Sequence, residues 1–407
     1  MVSSALPLTE TATSRWMLPT LCGAAFMVFV QTFMVAPLIP RLAAVFGSSV
    51  GWVGFAVPAY VVPEAIATLW VGPLSDRLGR RRVITGSLLV FIVLTAATAT
   101  ADHVGSFIAW RIATGLSAAG IVPICLTLIG DVVPFNRRGR AVGWFFGAIA
   151  GGTATGAAVG ALLEPLVGWR ILFLIIAGFS AVLLVVMRTT TALPRIIASA
   201  APWSAVAAGY RRLLASSRGR RTYVYVLLNA VLQSGVFTWL GVYLHQRFGL
   251  GETAIGLVLL GYGVPGLLFG PVIGKLADRF GRSLIIPSGV ALTGVCAVLL
   301  AVPMPLPGVR VAIILLSLGF DLTHPQLAAI TTDLGGGRGQ AVAVMAFSLF
   351  GGFGLGSLLF QTALTLGFTD ALLLFGVVAL IAATLAYGLF RDELPRVRSA
   401  HVDVGNH

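Results

Sequence analysis

Twelve long apolar runs, separated by short polar turns, limit the folds open to this chain of 407 residues. Each run has the roughly 20 residues that an α-helix needs to cross a bilayer. Charged residues make up only 10% of the chain, against roughly 25% in a soluble domain. The sequence therefore predicts an all-α membrane protein. Its twelve transmembrane helices, numbered in chain order, are predicted at residues 17–40, 50–74, 83–101, 104–130, 141–163, 170–187, 222–246, 253–274, 283–303, 310–332, 341–366 and 370–390.

One nine-residue pattern occurs twice, at matching places in the two groups of six helices. Residues 72–80 and residues 274–282 both read Gly, three residues, Asp-Arg, one residue, Gly-Arg. Tyr60 and Tyr262 match at the same offset. Because each group has six helices, both halves have the same orientation and are parallel repeats. We therefore predict two six-helix bundles (1–187 and 222–390), a basic linker between them (188–221) and a C-terminal tail (391–407).

The distribution of Arg and Lys predicts which side of the membrane each turn faces. If both termini are cytoplasmic, 22 of the 27 Arg and Lys residues lie on the cytoplasmic side and four on the opposite side, as the positive-inside rule requires. The net charge of +13 therefore reflects membrane orientation, and we predict no nucleic-acid partner. The first run is too long for a signal-peptide core, so we interpret it as a retained helix. The predicted location is the bacterial inner membrane.

The chain shows no pattern for a metal, a nucleotide or a disulfide framework. Cys22, Cys125 and Cys296 lie in apolar stretches without Cys-x-x-Cys spacing. No Gly-x-x-x-x-Gly-Lys-Ser/Thr loop is present. We predict neither a cofactor nor a metal site.

A few ionisable residues interrupt the apolar spans: Glu64 in helix 2, Arg111 in helix 4, and Asp321 and His324 in helix 10. A charge near the bilayer centre is costly, so such residues mark cavities, ion pairs or proton relays. The other half of the repeat lacks them, with Gly266, Ile313, Ala119 and Val122 at the corresponding positions. The shared fold therefore does not require these side chains, and we predict that they serve function.

The turns and short motifs resemble those of the major facilitator superfamily of membrane transporters. The duplicated Gly-x-x-x-Asp-Arg-x-Gly-Arg turn is that family's most specific signature. Arg137–Arg140 and Gly168–Arg170 are typical of the family, and Arg111 with Gly115 is similar to a motif of its twelve-helix drug and metabolite exporters. The glycines of helix 5 resemble an antiporter motif, although Ala157 and Ala161 stand where that motif has proline and glycine.

The resemblance implies that the duplicated turns act as a conformational latch between the bundles, and not as a substrate site. Asp76 can accept backbone N–H groups and pair with arginines of its own turn. The residues assigned to this gating turn are Gly72, Asp76, Arg77, Gly79 and Arg80, with Asp278, Arg279, Gly281 and Arg282 in the second copy.

Glycines four residues apart lie on one helix face and let two helix backbones approach closely in lipid. We assign this packing role to Gly152, Gly156 and Gly160 in helix 5, and to Gly351, Gly352 and Gly356 in helix 11.

Helices 1, 4, 7 and 10 line the central path in the superfamily, which implies a substrate cavity among them. The candidates for that cavity are Arg111, Gln31, Asn229 and Gln233. A single amide in a span can also hydrogen-bond to a neighbouring helix and so stabilise helix packing, and this is the alternative role for each amide.

Asp321 and His324 are spaced i, i+3 and share a helix face. Asp321 lies roughly 16 Å into helix 10, near the bilayer midplane. We predict that Asp321 carries a transported proton with His324 as its partner, the alternative being a buried structural pair. Glu64 is predicted to be a second protonation site if it faces the central path, and to act on the conformational balance if it faces helix 11.

The sequence thus predicts a monomeric, proton-coupled secondary transporter, not an enzyme. It would export a small apolar or amphipathic organic molecule in exchange for protons, by alternating access. One alternative is a proton symporter that imports a sugar or organic acid, with Arg111 holding a substrate carboxylate. A membrane-embedded enzyme is the other alternative, and it would need a carboxylate cluster or a nucleophile with its base.

Overall fold

A computed structural model describes residues 15–190, 193–194, 202–334 and 338–393, apart from the side chains of residues 135–139, 271, 278 and 338. Within these residues every regular element is an α-helix or a short 3-10 helix. Twelve helical spans are long and apolar enough to cross a membrane. The predicted all-α fold with twelve membrane helices is therefore confirmed.

Several spans consist of two segments. Helix 1 is Met17–Phe33 with Ile39–Val45, helix 2 is Val50–Gly54 with Pro58–Leu78, helix 4 is Val104–Ala118 with Val122–Val132, and helix 8 is Glu252–Leu260 with Val264–Phe280. The unbroken helices are 3 (Arg80–Thr98), 5 (Phe135–Val167), 6 (Trp169–Thr189), 7 (Ser217–Phe248), 9 (Arg282–Ala301), 10 (Leu306–Asp333), 11 (Arg338–Ala363) and 12 (Phe368–Leu389). A linker helix, Trp203–Ala215, precedes helix 7.

Prolines account for the breaks within the spans. Pro58, Pro123 and Pro265 each stand at the first or second position of a restarted segment, and Pro37 does so in the 3-10 turn of helix 1. Proline has no N–H to donate and disfavours the helical conformation of the residue before it. Hydropathy alone does not record these breaks, because the apolar run continues through each of them.

Contacts between the two bundles occur near both membrane faces. We call the face with the Asp-Arg turns the inner face, predicted to be cytoplasmic, and the opposite one the outer face. Near the outer face, Gln361 of helix 11 donates from Nε2 to the Gly51 carbonyl at 3.0 Å. Near the inner face, a Cβ added at Gly72 of helix 2 would lie 3.4 Å from the Ala343 Cβ of helix 11, and Tyr210 of the linker helix donates to the Leu69 carbonyl of helix 2 at 2.8 Å. The candidate site lies between these two levels.

Candidate functional site

A cavity of about 50 Å³ lies between the bundles and is lined by side chains of both. At this size it holds a few water molecules. Most of its wall is aromatic or apolar, including Phe29, Phe146, Phe320, Leu349 and Phe353. The polar part of the wall comes mainly from the second bundle and consists of Thr153, Gln233, Tyr262, Ser317, Asp321 and His324.

An aromatic cluster lies on the outer side of the cavity. Phe33 lies one turn outward from Phe29 on helix 1. Its ring centroid is 5.4 Å from that of Phe237 on helix 7 and 5.7 Å from that of Phe353 on helix 11. These edge-to-face contacts join the two bundles.

Asp321 is the one carboxylate on the cavity wall among the described residues. The Ser317 hydroxyl, one turn earlier on helix 10, donates to Asp321 Oδ2 at 3.2 Å. Gly266 of helix 8 lies against this carboxylate, since a Cβ added there would be 2.8 Å from each of its oxygens. Asp321 is thus held at the contact of helices 8 and 10, with the cavity beside it.

His324 shares the cavity with Asp321 but does not bond to it within the described structure. Its ring stacks on Phe320, with centroids 5.0 Å apart and planes 8° from parallel, and meets the edge of Phe146 at 5.6 Å. Neither ring nitrogen has a hydrogen-bond partner among the described residues. The i, i+3 spacing brings both groups to one wall, but the stacking on Phe320 sets the direction of the imidazole.

Arg111 does not line this cavity and is fully buried in the first bundle. Its guanidinium donates to the Ala56 carbonyl at 3.0 Å and to the carbonyls of Gln31 and Thr32 at 3.2 and 3.3 Å. Gln31 Oε1 accepts a further bond at 2.9 Å, and the Tyr60 ring lies 4.4 Å from the guanidinium carbon. These carbonyls belong to the ends of helical segments, where C=O groups lack their regular N–H donors. Arg111 therefore ties the breaks of helices 1 and 2 together.

Glu64 lies beside this arginine cluster, also outside the cavity wall. The side chain is fully buried, and neither carboxylate oxygen has a hydrogen-bond partner among the described residues. Its charge interacts with that of Arg111. The next residue, Ala65, is the one that contacts helix 11: its Cβ lies 3.8 Å from the Cβ position of Gly351. Glu64 instead shares the face of Tyr60, whose backbone packs against Gly115 of helix 4.

The two predicted amides of helix 7 are placed differently. Gln233 lines the cavity, and Asn229, one turn toward the inner face, is buried with neither amide atom partnered among the described residues. The cavity residue Tyr262 and the aromatic wall were missed in the sequence. A signal for Tyr262 existed: it matches Tyr60 at the same offset at which the cavity residue Gln233 matches Gln31.

The first Asp-Arg turn forms a charge cluster at the inner face. Arg80 pairs with Asp76 at 3.1 Å and with Asp131, at the end of helix 4, at 2.6 Å. Arg77 lies over the Trp203 ring of the linker helix at 4.5 Å. Gly79 has a φ of 90°, which favours glycine. Across the bundle interface, a Cβ at Gly72 would lie 3.4 Å from that of Ala343 on helix 11.

The second turn repeats part of this arrangement. Arg282 pairs with Asp333 at 3.0 Å, as Arg80 does with Asp131 at the related position. Gly281 again has a positive φ, 83°, and Arg279 lies over Phe280 at 5.3 Å. The Asp278 side chain lies outside the described residues.

The glycines of helix 5 lie against the backbone of helix 1. A Cβ added at Gly152, Gly156 or Gly160 would lie 2.5–2.6 Å from the carbonyl oxygens of Phe26, Val30 and Met34, respectively. Helix 11 repeats this contact with helix 7, where Gly352 meets the Leu227 carbonyl and Gly356 meets the Val231 carbonyl.

Comparison with known proteins agrees with this architecture. The sequence profile of the Major Facilitator Superfamily matches residues 21–357 and 248–402. The chain is 25% identical to the chloramphenicol resistance protein of Streptomyces lividans over 87% of this chain and 91% of that one. It is 23% identical to multidrug resistance protein 2 of Bacillus subtilis over 79% and 81% of the two chains. The uncharacterized MFS-type transporter YwfA of Bacillus subtilis is 28% identical over 64% of each chain, slightly under two thirds of its length.

Two solved structures share the fold. A POT family transporter in complex with a thioalcohol-conjugated peptide superposes with a TM-score of 0.76 over 92% of this chain and 96% of that one. A bacterial homologue of the human lysosomal transporter Spinster, inward-facing and unoccupied, gives 0.72 over 95% and 99%. Both are 14% identical in sequence. The relatives are transporters and not enzymes, and this multi-pass membrane protein belongs to the Major Facilitator Superfamily.

Proposed function

We propose that this protein is a proton-coupled efflux antiporter that moves a small apolar or amphipathic organic molecule by alternating access. The observation that carries the proposal is the single described carboxylate, Asp321, on the wall of an aromatic cavity between the bundles. An ionisable group in such a place can exchange protons with whichever side the cavity opens to. Two relatives named for drug resistance support the direction of transport.

The aromatic wall supports an amphipathic substrate. Phe29, Phe146, Phe320 and Phe353 surround the carboxylate, and such rings bind flat apolar groups and organic cations. A molecule with an apolar body and one polar or cationic group matches this wall. The cavity of about 50 Å³ must widen before such a molecule can enter, as alternating access requires.

The import alternative has less support from the geometry. A symporter for organic acids needs a cation in the cavity, and the Arg111 guanidinium is instead bonded to Gln31 and three backbone carbonyls away from the cavity wall. We therefore assign Arg111 to the helix breaks and not to substrate binding.

We further propose that the protein is a monomer in the bacterial inner membrane with both termini cytoplasmic, and that residues 1–187 and 222–390 are the two moving bundles. Asp76 Oδ2 lies 3.7 Å from the Cβ position of Gly339 on helix 11, and this approach across the bundles supports a latch at the inner face. The close contacts of Gly152 and Gly352 support a packing role for both glycine sets.

The test is transport by the purified chain in proteoliposomes with an imposed pH gradient. The probes are tetraphenylphosphonium, an apolar cation, and chloramphenicol. Antiport moves the probe opposite to the proton flow, whereas symport moves it in the same direction. Asp321→Asn should abolish gradient-driven movement, and the control Asp370→Asn should not, because Asp370 is exposed at the start of helix 12. Wild-type rates in Asp321→Asn would contradict the role of Asp321, and symport of either probe would contradict antiport.

A further inference from the structure

Gly266 of helix 8 lies directly against the Asp321 carboxylate, close to the point where helix 8 restarts. The helix breaks at Gly261–Gly263, and its inner segment is Val264–Phe280. A Cβ atom at Gly266 would lie 2.8 Å from both Asp321 Oδ1 and Oδ2, whereas real Cβ contacts essentially never fall below 3.0 Å. Any side chain at this position therefore displaces the carboxylate or the helix.

The carboxylate lies at the first turn of this inner segment, although it belongs to another helix. Gly266 is the third residue of the segment, in the turn where the helix dipole favours a negative charge. The Ser317 hydroxyl of helix 10 donates to the same carboxylate at 3.2 Å.

The internal repeat indicates that the fold itself does not require glycine here. Glu64 of helix 2 stands at the position related to Gly266, and Ala119 of helix 4 stands at the position related to Asp321. Each bundle thus carries one carboxylate and one small residue at this pair of positions, but the two helices exchange roles. In the second bundle, helix 8 has a glycine, Gly266, at the position that faces the carboxylate of helix 10.

We propose that Gly266 is the positioning residue of Asp321. It keeps the carboxylate docked on the start of the inner segment of helix 8, so that a proton or the cationic group of a ligand must compete with this contact. The transport consequence rests on the proposed function, whereas the docking itself is independent of it.

Few other groups around the carboxylate can titrate. Tyr262 on helix 8 and His324 on helix 10 are the other titratable side chains on the described cavity wall. Helices 1, 5, 7 and 11 present uncharged side chains there, among them Phe29, Thr153, Gln233 and Phe353. A change in the proton affinity of Asp321 can therefore be attributed to its own contacts.

The docking links the cavity to the inner face. The segment that Asp321 contacts ends at Phe280, and Arg282 just beyond it pairs with Asp333 at 3.0 Å. Occupation of Asp321 by a proton weakens the hold on one end of this segment, whose other end carries the second Asp-Arg turn.

The test is an infrared titration of the full chain in phosphatidylethanolamine–phosphatidylglycerol vesicles, without any substrate. The protonated C=O band of Asp321 is identified by its loss in Asp321→Asn. An anion that is displaced from the positive end of a helix binds its proton more tightly. We therefore expect Gly266→Ala to raise the midpoint of this band by about one pH unit, about tenfold in proton affinity. Ser317→Ala, which removes the hydroxyl donor, should shift it in the same direction.

Gly270→Ala on the same helix is the matched control. A Cβ at Gly270 would meet nothing within 4 Å, so this variant should leave the midpoint unchanged. A wild-type midpoint in Gly266→Ala, or an equal shift in Gly270→Ala, overturns the proposal.

A second variant keeps the test valid if Gly266→Ala does not fold. The added Cβ would also lie 2.7 Å from the Ala150 Cβ. Combining Gly266→Ala with Ala150→Gly removes this shortest contact and leaves the one with the carboxylate, and the same upward shift is expected. Since no substrate is involved, a protein that shows the shift but fails to transport contradicts the proposed function and not the docking.

Discussion

Replacing Gly156 with alanine tests whether the bundles depend on direct contact between helix backbones. A Cβ at this position would lie 2.5 Å from the Val30 carbonyl oxygen and 2.8 Å from Val30 Cα on helix 1. Ordinary contact begins at 3.4 Å, so helices 1 and 5 must separate by about 0.9 Å. Backbone atoms cannot rotate away as the end of a side chain can.

The magnitude follows from the cost of overpacking. Extra methyl groups in a tightly packed core cost about 1–3 kcal/mol. A gap of this size also removes roughly a quarter to a half of the dispersion energy of the neighbouring contacts. At about 2–4 °C per kcal/mol for a bundle of this length, Gly156→Ala should lower the melting temperature by about 2–12 °C.

Gly147→Ala on the same helix is the control. A Cβ at Gly147 would meet nothing within 4 Å, and alanine is the better helix former by about 1 kcal/mol. This variant should therefore melt at or above the wild-type temperature. The assay is thermal unfolding in detergent, followed by loss of the monodisperse peak in size-exclusion chromatography.

The internal repeat supplies a second measurement of the same effect. Gly356→Ala brings a Cβ against the Val231 carbonyl of helix 7, whereas Gly351→Ala places one 3.8 Å from Ala65. Gly356→Ala should lower the melting temperature and Gly351→Ala should not. If Gly156→Ala melts like Gly147→Ala, the backbone contact does not stabilise the bundle and the reasoning is refuted.

Three carboxylates give further tests. Burial opposes ionisation of Glu393, but hydrogen bonds from Arg218 and Arg221 lower its pKa. Glu393→Gln should therefore cost about 1 kcal/mol or less at neutral pH. The wild-type advantage should be full above the ordinary carboxyl pKa and vanish as the pH falls through the lowered value, which unfolding at several pH values measures. Asp76→Asn should slow turnover with nearly unchanged binding affinity, because it biases a conformational equilibrium; lost affinity with normal interconversion would contradict this. Glu64→Gln should leave the pH dependence of transport unaltered, because Glu64 lies outside the cavity wall, and a buried carboxyl group without a hydrogen-bond partner among the described residues is costly to ionise; a shifted pH profile would assign it a protonation role.

The global fold could be predicted from the sequence because a lipid bilayer restricts the structures that can cross it. Apolar runs of membrane length must be helical to satisfy their backbone groups, and the repeat of residues 72–80 at 274–282 fixes two equal halves. The predicted spans agree with the observed helices to within a few residues at most ends. The helix 7 segment is longer, beginning at Ser217 rather than near 222, because its first turn is polar and falls outside a hydropathy window.

The site was only partly readable, because side-chain direction at helix breaks is not periodic. Gln233, Asp321 and His324 do lie on one cavity wall. Arg111 and Gln31 do not, since the breaks of helices 1 and 2 expose carbonyls that draw the guanidinium into the first bundle. Hydropathy cannot reveal those carbonyls, so the position of Arg111 relative to the cavity was beyond sequence reasoning.

Two of the charges inside the membrane follow one rule once the breaks are known. Arg111, a cation, binds carbonyls where segments of helices 1 and 2 end. Asp321, an anion, lies against the first turn of the inner segment of helix 8. Each sign matches the partial charge of the helix end that it meets. Arg111 is enclosed and satisfied, whereas Asp321 also faces a cavity with polar atoms of Gln233, Tyr262 and His324 that have no hydrogen-bond partner among the described residues. The Arg111 guanidinium can therefore hold the helix ends together permanently. The Asp321 carboxylate can instead leave the helix end to bind a proton or a ligand. This difference in exposure, and not the presence of charge alone, separates a structural ion in the membrane from a working one.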